Sequence, residues 1–184
     1  MFTIDIDNEI SLALVQPSFA AKLYKIVSSQ QEYLNQWLPW PKYCQKEQDF
    51  DGFIKSSLAA FAENKGMTTA IIYQGELVGI VSYNDISLAL KKGVIGYWLS
   101  EPFQGKGIIS RAVSMIIHMG FEHYQLEKVE IRAATENIAS RSVAERLHFE
   151  LEGVITNAEN LHGRIIDHAV YGLSFDTWQS KNSD

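Results

Sequence analysis

Gly96-Tyr97-Trp98-Leu99-Ser100-Glu101-Pro102-Phe103-Gln104-Gly105-Lys106-Gly107-Ile108-Ile109-Ser110-Arg111-Ala112 is the stretch on which the reading of this chain turns. Val94 to Leu99 is a short run of bulky apolar residues, the composition of a buried strand. Gly105-Lys106-Gly107 follows as a glycine loop. From there an amphipathic helix extends to about Gln125, its stripe carried by Val113, Ile116-Ile117, Gly120-Phe121 and Tyr124. A helix N-terminus leaves backbone N–H groups without partners and carries a partial positive charge. Glycines let such a backbone approach an anion closely, an arrangement suited to a pyrophosphate. A flexible loop that merely caps a helix has the same composition. A P-loop requires Ser or Thr after Gly-Lys, but Lys106 is followed by Gly107. A dinucleotide fingerprint requires a tight strand-to-helix turn, and here the strand ends several residues too early.

On the N-terminal side, Glu9 to Val15 alternates as a strand. Ser18 to about Gln30 follows as a helix opened by Pro17, with Phe19, Leu23 and Ile26-Val27 on one stripe. Trp37-Leu38-Pro39-Trp40-Pro41 is an aromatic loop, because each proline biases its predecessor away from helix. Glu47 to Asn64 is a second helix. Met67 to Tyr73 and Glu76 to Tyr83 form a hairpin around Gln74-Gly75. On the C-terminal side, Lys128 to Ala134 is a strand and Ile138 to Leu147 a short helix, and Glu150 to Ser174 holds two more strands. The order β-α-α-β-β-β-α-β-α-β-β predicts an α/β fold with a mixed, largely antiparallel sheet and helices on both faces. No repeat or linker divides residues 1–184, which read as one domain.

Composition narrows the function. The formal net charge of −6 disfavours nucleic acid as a partner, since phosphate binding needs a basic footprint, and it is compatible with a cationic amine. No apolar run is long enough to suggest a membrane span. The start, Met1-Phe2-Thr3-Ile4-Asp5, lacks a secretion pattern, so a cytoplasmic protein is expected. Cys44, the only cysteine, permits neither an intramolecular disulfide nor a multi-cysteine zinc site. His118 and His123 lie five apart on a helix and do not face one ligand; His162 and His168 read as surface or strand residues, and no metal is expected. Trp37, Trp40 and Tyr43 are candidates to line an acceptor groove, with simple core packing the alternative.

The loop resembles the acetyl-coenzyme A loop of the GNAT N-acetyltransferase superfamily, Gln/Arg-x-x-Gly-x-Gly/Ala. Gln104 and Gly107 match it, and Ile109 departs from its last position. The resemblance covers nearly the whole chain. Ile95-Gly96-Tyr97-Trp98-Leu99 looks like the family's fourth strand, Asn137-Ile138-Ala139-Ser140 its Asn-x-x-Ser helix entry, and Phe149-x-Leu-Glu-Gly153 the strand after. The chain is most similar to the RimJ/RimL branch and its ribosomal-protein-serine acetyltransferases, through Leu38-Pro39-Trp40-Pro41, Gln104-Gly105-x-Gly107-Ile108-Ile109-Ser110 and Asn157-Ala158-Glu159-x-Leu161. His148 stands where relatives have Gly, at an expected left-handed helix end that His tolerates better than most residues.

The resemblance implies strands that splay apart around the pantetheine of acetyl-coenzyme A, used as a cosubstrate without metal. It gives Trp98 and Leu99 backbone hydrogen bonds to pantetheine, and an N–H near Leu99 the thioester carbonyl. Gln104, Gly105, Lys106, Gly107, Ile108, Ile109 and Ser110 hold the pyrophosphate, and Asn137 orients its turn or binds the cofactor. Glu159 accepts the amine's proton, directly or through water, and Ser140 protonates the departing thiolate. A solvated turn glutamate and a helix-capping serine are the plain alternatives. The expected acceptor is the N-terminal amine of a protein, a ribosomal one by resemblance. A polyamine or aminoglycoside, or a non-catalytic acyl-coenzyme A sensor, are the other readings. The resemblance also implies a homodimer. Lys42 and Lys46 are candidates for a basic groove toward an acidic acceptor protein.

Overall fold

The computed structural model describes residues 3–182; Met1 and Phe2, on which the reading of the chain's start partly rests, lie outside the described residues, as do Ser183 and Asp184. Eight strands form one sheet: β1 (Thr3–Asp5), β2 (Ile10–Leu14), β3 (Met67–Tyr73), β4 (Glu76–Ser87), β5 (Lys92–Leu99), β6 (Lys128–Ala134), β7 (Glu150–Leu161) and β8 (Arg164–Ser174). Their order is β1-β2-β3-β4-β5-β6-β8-β7, and only β5 and β6 run parallel. Six α-helices accompany them: α1 (Ala20–Ser29), α2 (Gln31–Leu34), α3 (Glu47–Ala62), α4 (Ile108–His118), α5 (Ile138–Arg146) and α6 (Phe175–Asn182).

Alternation along the strands builds a core on each face. On one side Ile71, Val81, Ile95, Ile131 and Tyr171 pack with Ala112, Val113, Ile116 and Ile117 of α4 and Val143 and Ala144 of α5. On the other, Ala13, Ala70, Leu77 and Ile80 meet Leu23 and Val27 of α1 and Phe50 and Ile54 of α3. The β3–β4 hairpin turns on Gln74 and Gly75, with φ of 50° and 84°. Both central residues sit at positive φ, which matches the twist of the two strands. His148 adopts the expected left-handed backbone, φ 63°, after α5.

Beside the extra helical turn α2 and the run of β4 past Tyr83 to Ser87, three further elements differ from the sequence expectation. Thr3–Asp5 adds a strand: it is short, wholly exposed and without alternation, and it is positioned by pairing with β2 and by Asp7, whose carboxylate accepts from Glu9 and Ile10 N–H. Residues 175–182 add a helix of weak amphipathy, held by Phe175 and Trp178 against Phe121, with ring centroids 5.6 and 5.2 Å away. The helix expected to reach Gln125 is α-helical only to His118 and continues as a π turn over Met119–His123. There the Tyr83 hydroxyl, from β4, donates to the Ile116 carbonyl at 2.9 Å. Insertion of a side chain into the helical ladder is a known cause of such local widening.

Beyond the helices, the sheet face carries an ion network. Glu130, 5% exposed, takes Lys92 and Lys128 at 3.1 and 3.2 Å and Arg132 at 3.0 Å. Burial pushes the Glu130 carboxyl up, but these cations outweigh it and hold it below the ordinary carboxylate value. Its contribution to stability is therefore present above that ordinary value and lost as pH falls through the lowered one. Glu130→Gln should cost about 1–2 kcal/mol near neutral pH, since the cations are partly solvated, and the deficit should vanish in acid. Denaturant unfolding of both proteins across pH checks this.

Candidate active site

The parallel pairing of β5 and β6 runs from Lys92 opposite Lys128 to Ile95 opposite Ile131, and stops there. Beyond it, Gly96–Leu99 pair only with β4 and Arg132–Ala134 only with β8. The strands part into a slot. Ser100 N–H donates to the Val78 carbonyl at 2.8 Å, so by the antiparallel alternation Trp98 and Gly96 direct their backbone groups to β4, and Tyr97 and Leu99 direct theirs into the slot. Leu99 thus presents its N–H there, as the resemblance implies. The Trp98 backbone pairs with Ile80 in the β4 ladder, and the residue meets the cleft through its indole, 6.1 Å from Trp40.

The slot opens into a cleft of about 1320 Å³. One end is the glycine loop. Gly105 and Gly107 sit at φ 74° and 69°, and a Cβ on either would meet nothing within 4 Å, so the backbone lies bare. Gly107 is the N-cap of α4, and no side chain caps that first turn. Its N–H groups are left for a ligand, the requirement for an anion cradle. Gly105, Gly107, Ile108, Ile109, Ser110 and Gln104 all line the cleft. Lys106 does not: its ammonium lies 5.1 Å from the Phe103 ring and 5.5 Å from Tyr73, so it serves the loop through its backbone. Gln104 donates to the Tyr33 hydroxyl, which in turn donates to the Leu99 carbonyl at 3.3 Å. Asp7 and Glu9 grip Arg111 at 2.8 and 3.0 Å, fixing the outer side of the helix.

α5 borders the slot from the face of α4. Asn137 is its N-cap, and its side chain accepts from Ser140 N–H at 3.1 Å. Ser140 is therefore capped rather than capping, which frees its hydroxyl. That hydroxyl lies 3.0 Å from Tyr97 Oη. Burial pushes the Tyr97 phenol up to about 12, against the hydrogen bond with Ser140, so it stays protonated.

Aromatic residues wall the opposite side. Trp40 packs on Phe50 and Trp98, and Trp37 on Ala134, Leu161 and Ile166. The tip of the β7–β8 hairpin pins this loop: a His162 ring nitrogen lies 3.0 Å from the Leu38 carbonyl, and Arg164 donates to the Gln36 carbonyl at 3.1 Å. The loop both lines the cleft and packs, while Tyr43, 69% exposed, does neither. Lys42 and Lys46 do not line the cleft.

Glu159 lies in β7, not in a turn. Between Ile155 and Glu159 the β7–β8 register shifts, with Asn157 at φ 51° and its N–H on the Asp167 carboxylate at 2.8 Å. This irregularity turns Glu159 toward the cleft, where its carboxylate is 3.2 Å from His168 Nε2. Sequence reasoning left His168 among surface or strand residues. Its signal was parity: Ala169, Tyr171 and Leu173 enter one core, so His168 projects to the other face. Tyr33, Tyr97, Arg132 and Arg146 also line the cleft without having been singled out. Among the described residues, no cluster of His, Cys, Asp or Glu could hold a metal ion.

A sheet parted between two parallel strands, with an uncapped glycine-bordered helix at one end of the slot, is the binding site of an acyl-coenzyme A-dependent transferase. The chain belongs to the acetyltransferase (GNAT) domain family, whose model matches residues 10–150. It is 32% identical over 174 residues to the ribosomal-protein-serine acetyltransferase of Escherichia coli (strain K12), covering 90% of this chain and 97% of that one. Among solved structures it resembles RimL, a ribosomal L7/L12 alpha-N-protein acetyltransferase, in complex with coenzyme A: TM-score 0.90, 29% identity, 96% and 99% of the two chains covered. It also resembles MccE, a microcin C7 self immunity acetyltransferase, in complex with acetyl-CoA and AMP: TM-score 0.89, 31% identity, 94% and 96% covered. The protein is an acetyltransferase that uses acetyl-coenzyme A.

Proposed function

We propose that the chain acetylates the N-terminal α-amine of a protein, a ribosomal protein by the names of its relatives, with Glu159 serving, directly or through a relay, the removal of the amine's proton and Ser140 returning one to the leaving sulfur. The observation that carries this is the pair of proton-handling groups on opposite sides of one slot. Glu159 faces the aromatic acceptor side, and Ser140 faces from α5. A free α-amine titrates near 7.7–8.0, so at pH 7.5 its neutral form costs well under ~1 kcal/mol; a lysine amine costs about 4 kcal/mol. A modest base is thus enough for an N-terminus.

Acetyl-coenzyme A supplies the activated acyl group. The first turn of α4 holds the pyrophosphate, and Leu99 N–H polarises the carbonyl, a preorganised donor that strengthens as charge develops. Ser140 donates to the sulfur; a thiolate whose conjugate acid titrates near ~8.5 needs no strong acid. The Tyr97 hydroxyl donates to the Ser140 carbonyl at 3.0 Å and lies 3.0 Å from Ser140 Oγ, which sets the direction of that hydroxyl. The same relatives support a cytoplasmic site of action. Self-association has a candidate surface in the open edge of β7, where Leu151 and Val154 are about half exposed.

A second reading is favoured by the aromatic wall. Trp37, Trp40 and Trp98 suit a small amine that carries a planar group, and the MccE structure holds AMP. Both readings are tested by thiol release with peptides bearing free N-termini (Ser-first included), N-blocked lysine peptides, polyamines, aminoglycosides and small amines that carry a nucleobase. Turnover with the free N-termini alone is expected; turnover with small amines alone would overturn the N-terminal reading. With an accepted substrate, Glu159→Ala should lower kcat/KM about 100-fold with acetyl-coenzyme A affinity unchanged.

A further inference from the structure

The geometry points to His168 as the group that takes the proton from the acceptor amine, with Glu159 holding the imidazole in place; this rests on the reading of the cleft as an amine-acetylating site. His168 pairs across the ladder with Ala134, the last residue of the strand that borders the slot. Its ring therefore stands beside the parted end of β5 and β6, on the face walled by Trp37 and Trp40. Its Nε2 is 3.2 Å from the Glu159 carboxylate, and both side chains are about three-quarters buried, at 21 and 25% exposure.

A neutral imidazole has one N–H and one lone pair. With Nε2–H directed to the carboxylate, the lone pair is on Nδ1. Nδ1 has no hydrogen-bond partner among the described residues, and no buried side-chain nitrogen or oxygen among them lacks one. Nδ1 is therefore open to the cleft. The arrangement is a carboxylate orienting an imidazole, the usual way a base is fixed in one tautomer.

Chemistry favours the imidazole over the carboxylate. Moving a proton from an α-ammonium to an ordinary imidazole is uphill by about 20-fold, and to an ordinary carboxylate by roughly 3000-fold. In the balanced step the neutral amine's lone pair forms the C–N bond with the acetyl carbon as the C–S bond breaks, and the nitrogen passes one proton to Nδ1, where the imidazolium is held by the Glu159 carboxylate. The sulfur takes the Ser140 proton, Ser140 regains one from solvent, and His168 returns its own to solvent.

The other titratable or charged groups lining the cleft are Tyr33, Cys44, Tyr97, Arg132 and Arg146, with Asp167 next to His168 in the chain and bonded to Asn157. Burial raises the two phenols and the thiol, and guanidiniums stay charged. Where substrate amine and imidazole are both protonated, the wild type must release a proton from each, so log kcat/KM should rise with a slope approaching two.

The test is kcat/KM against pH for wild type, His168→Gln and Glu159→Gln, using whichever amine the wild type accepts. Gln keeps an N–H for the Glu159 carboxylate but takes no proton. His168→Gln should lower kcat/KM about 100-fold, reduce the slope to one, and leave the acetyl-coenzyme A Kd unchanged. Glu159→Gln should lower kcat/KM about tenfold and keep the steeper slope. Added imidazole should restore turnover to His168→Ala. The proposal is overturned if His168→Gln keeps wild-type kcat/KM and slope while Glu159→Gln loses turnover, since the proton then goes to the carboxylate directly. If the wild type accepts only an amine other than an N-terminus, the N-terminal reading fails, and the slopes measured on that amine still decide the role of His168.

Discussion

Gly107→Asp should weaken acetyl-coenzyme A binding about 100-fold while leaving the fold intact. Gly107 caps α4 in the left-handed region, φ 69°, with open space where a Cβ would stand. Asp tolerates that backbone better than most residues, at a cost of roughly 1 kcal/mol. Its carboxylate would then sit at the helix N-terminus, where it would take the N–H groups a pyrophosphate needs and repel the pyrophosphate itself. A 100-fold loss corresponds to about 3 kcal/mol. Gly107→Asn separates the contributions: it has the same shape and no charge, and about tenfold is expected. Calorimetric titration with coenzyme A reads both. A Kd within twofold of wild type for the Asp variant would mean that the loop does not hold the phosphates.

The second large effect is on stability, and it lies far from the slot. Gly120 is in the π turn after α4, and a Cβ there would fall 1.9 Å from the Tyr83 hydroxyl and 2.9 Å from the ring carbon that bears it. Tyr83 is 1% exposed, and its ring is locked by the bond to the Ile116 carbonyl and by Tyr124 at 6.3 Å. Replacing glycine by alanine within a helix normally gains up to about 1 kcal/mol. Here overpacking against a rigid, hydrogen-bonded ring outweighs that gain, so Gly120→Ala should lose about 3 kcal/mol. For a domain of this size the melting temperature should fall by roughly 10 °C. Pairing the change with Tyr83→Phe removes the clashing oxygen and should recover part of the loss, which a double-mutant cycle by thermal unfolding would show.

Tyr83 and Gly120 also show where the sequence was legible and where it was not. The apolar stripe through Val113, Ile116 and Phe121 sets the helix and its buried face, because helical period alone determines which residues meet the core. It carries no record of where Tyr83, some thirty residues earlier, inserts its hydroxyl, so the change to a π turn was not predictable from it. The hairpin at Gln74-Gly75 and β6 are local features of turn chemistry and alternation, and they stand where the sequence put them. Thr3–Asp5 forms a strand only because β2 offers it an edge, a non-local cause.

The site divides the same way. The glycine loop is contiguous and could be read directly, together with the Asn137 turn. Glu159 lies in a segment the sequence reads as strand, but the shift of register around Asn157 that turns it to the cleft depends on pairing with β8 and is not legible locally. His168 was passed over because its partner lies nine residues away across a hairpin. Its proximity to Glu159 follows from that irregularity, not from spacing.

The most direct test of the account is mass spectrometry of a Ser-first peptide incubated with the protein and acetyl-coenzyme A, with free thiol measured in parallel. One acetyl group on the α-amine, formed in step with thiol release and much slower with Gly107→Asp at limiting acetyl-coenzyme A, is expected. Thiol-free mixtures with an unmodified peptide, or acetylation confined to lysine side chains, would contradict it.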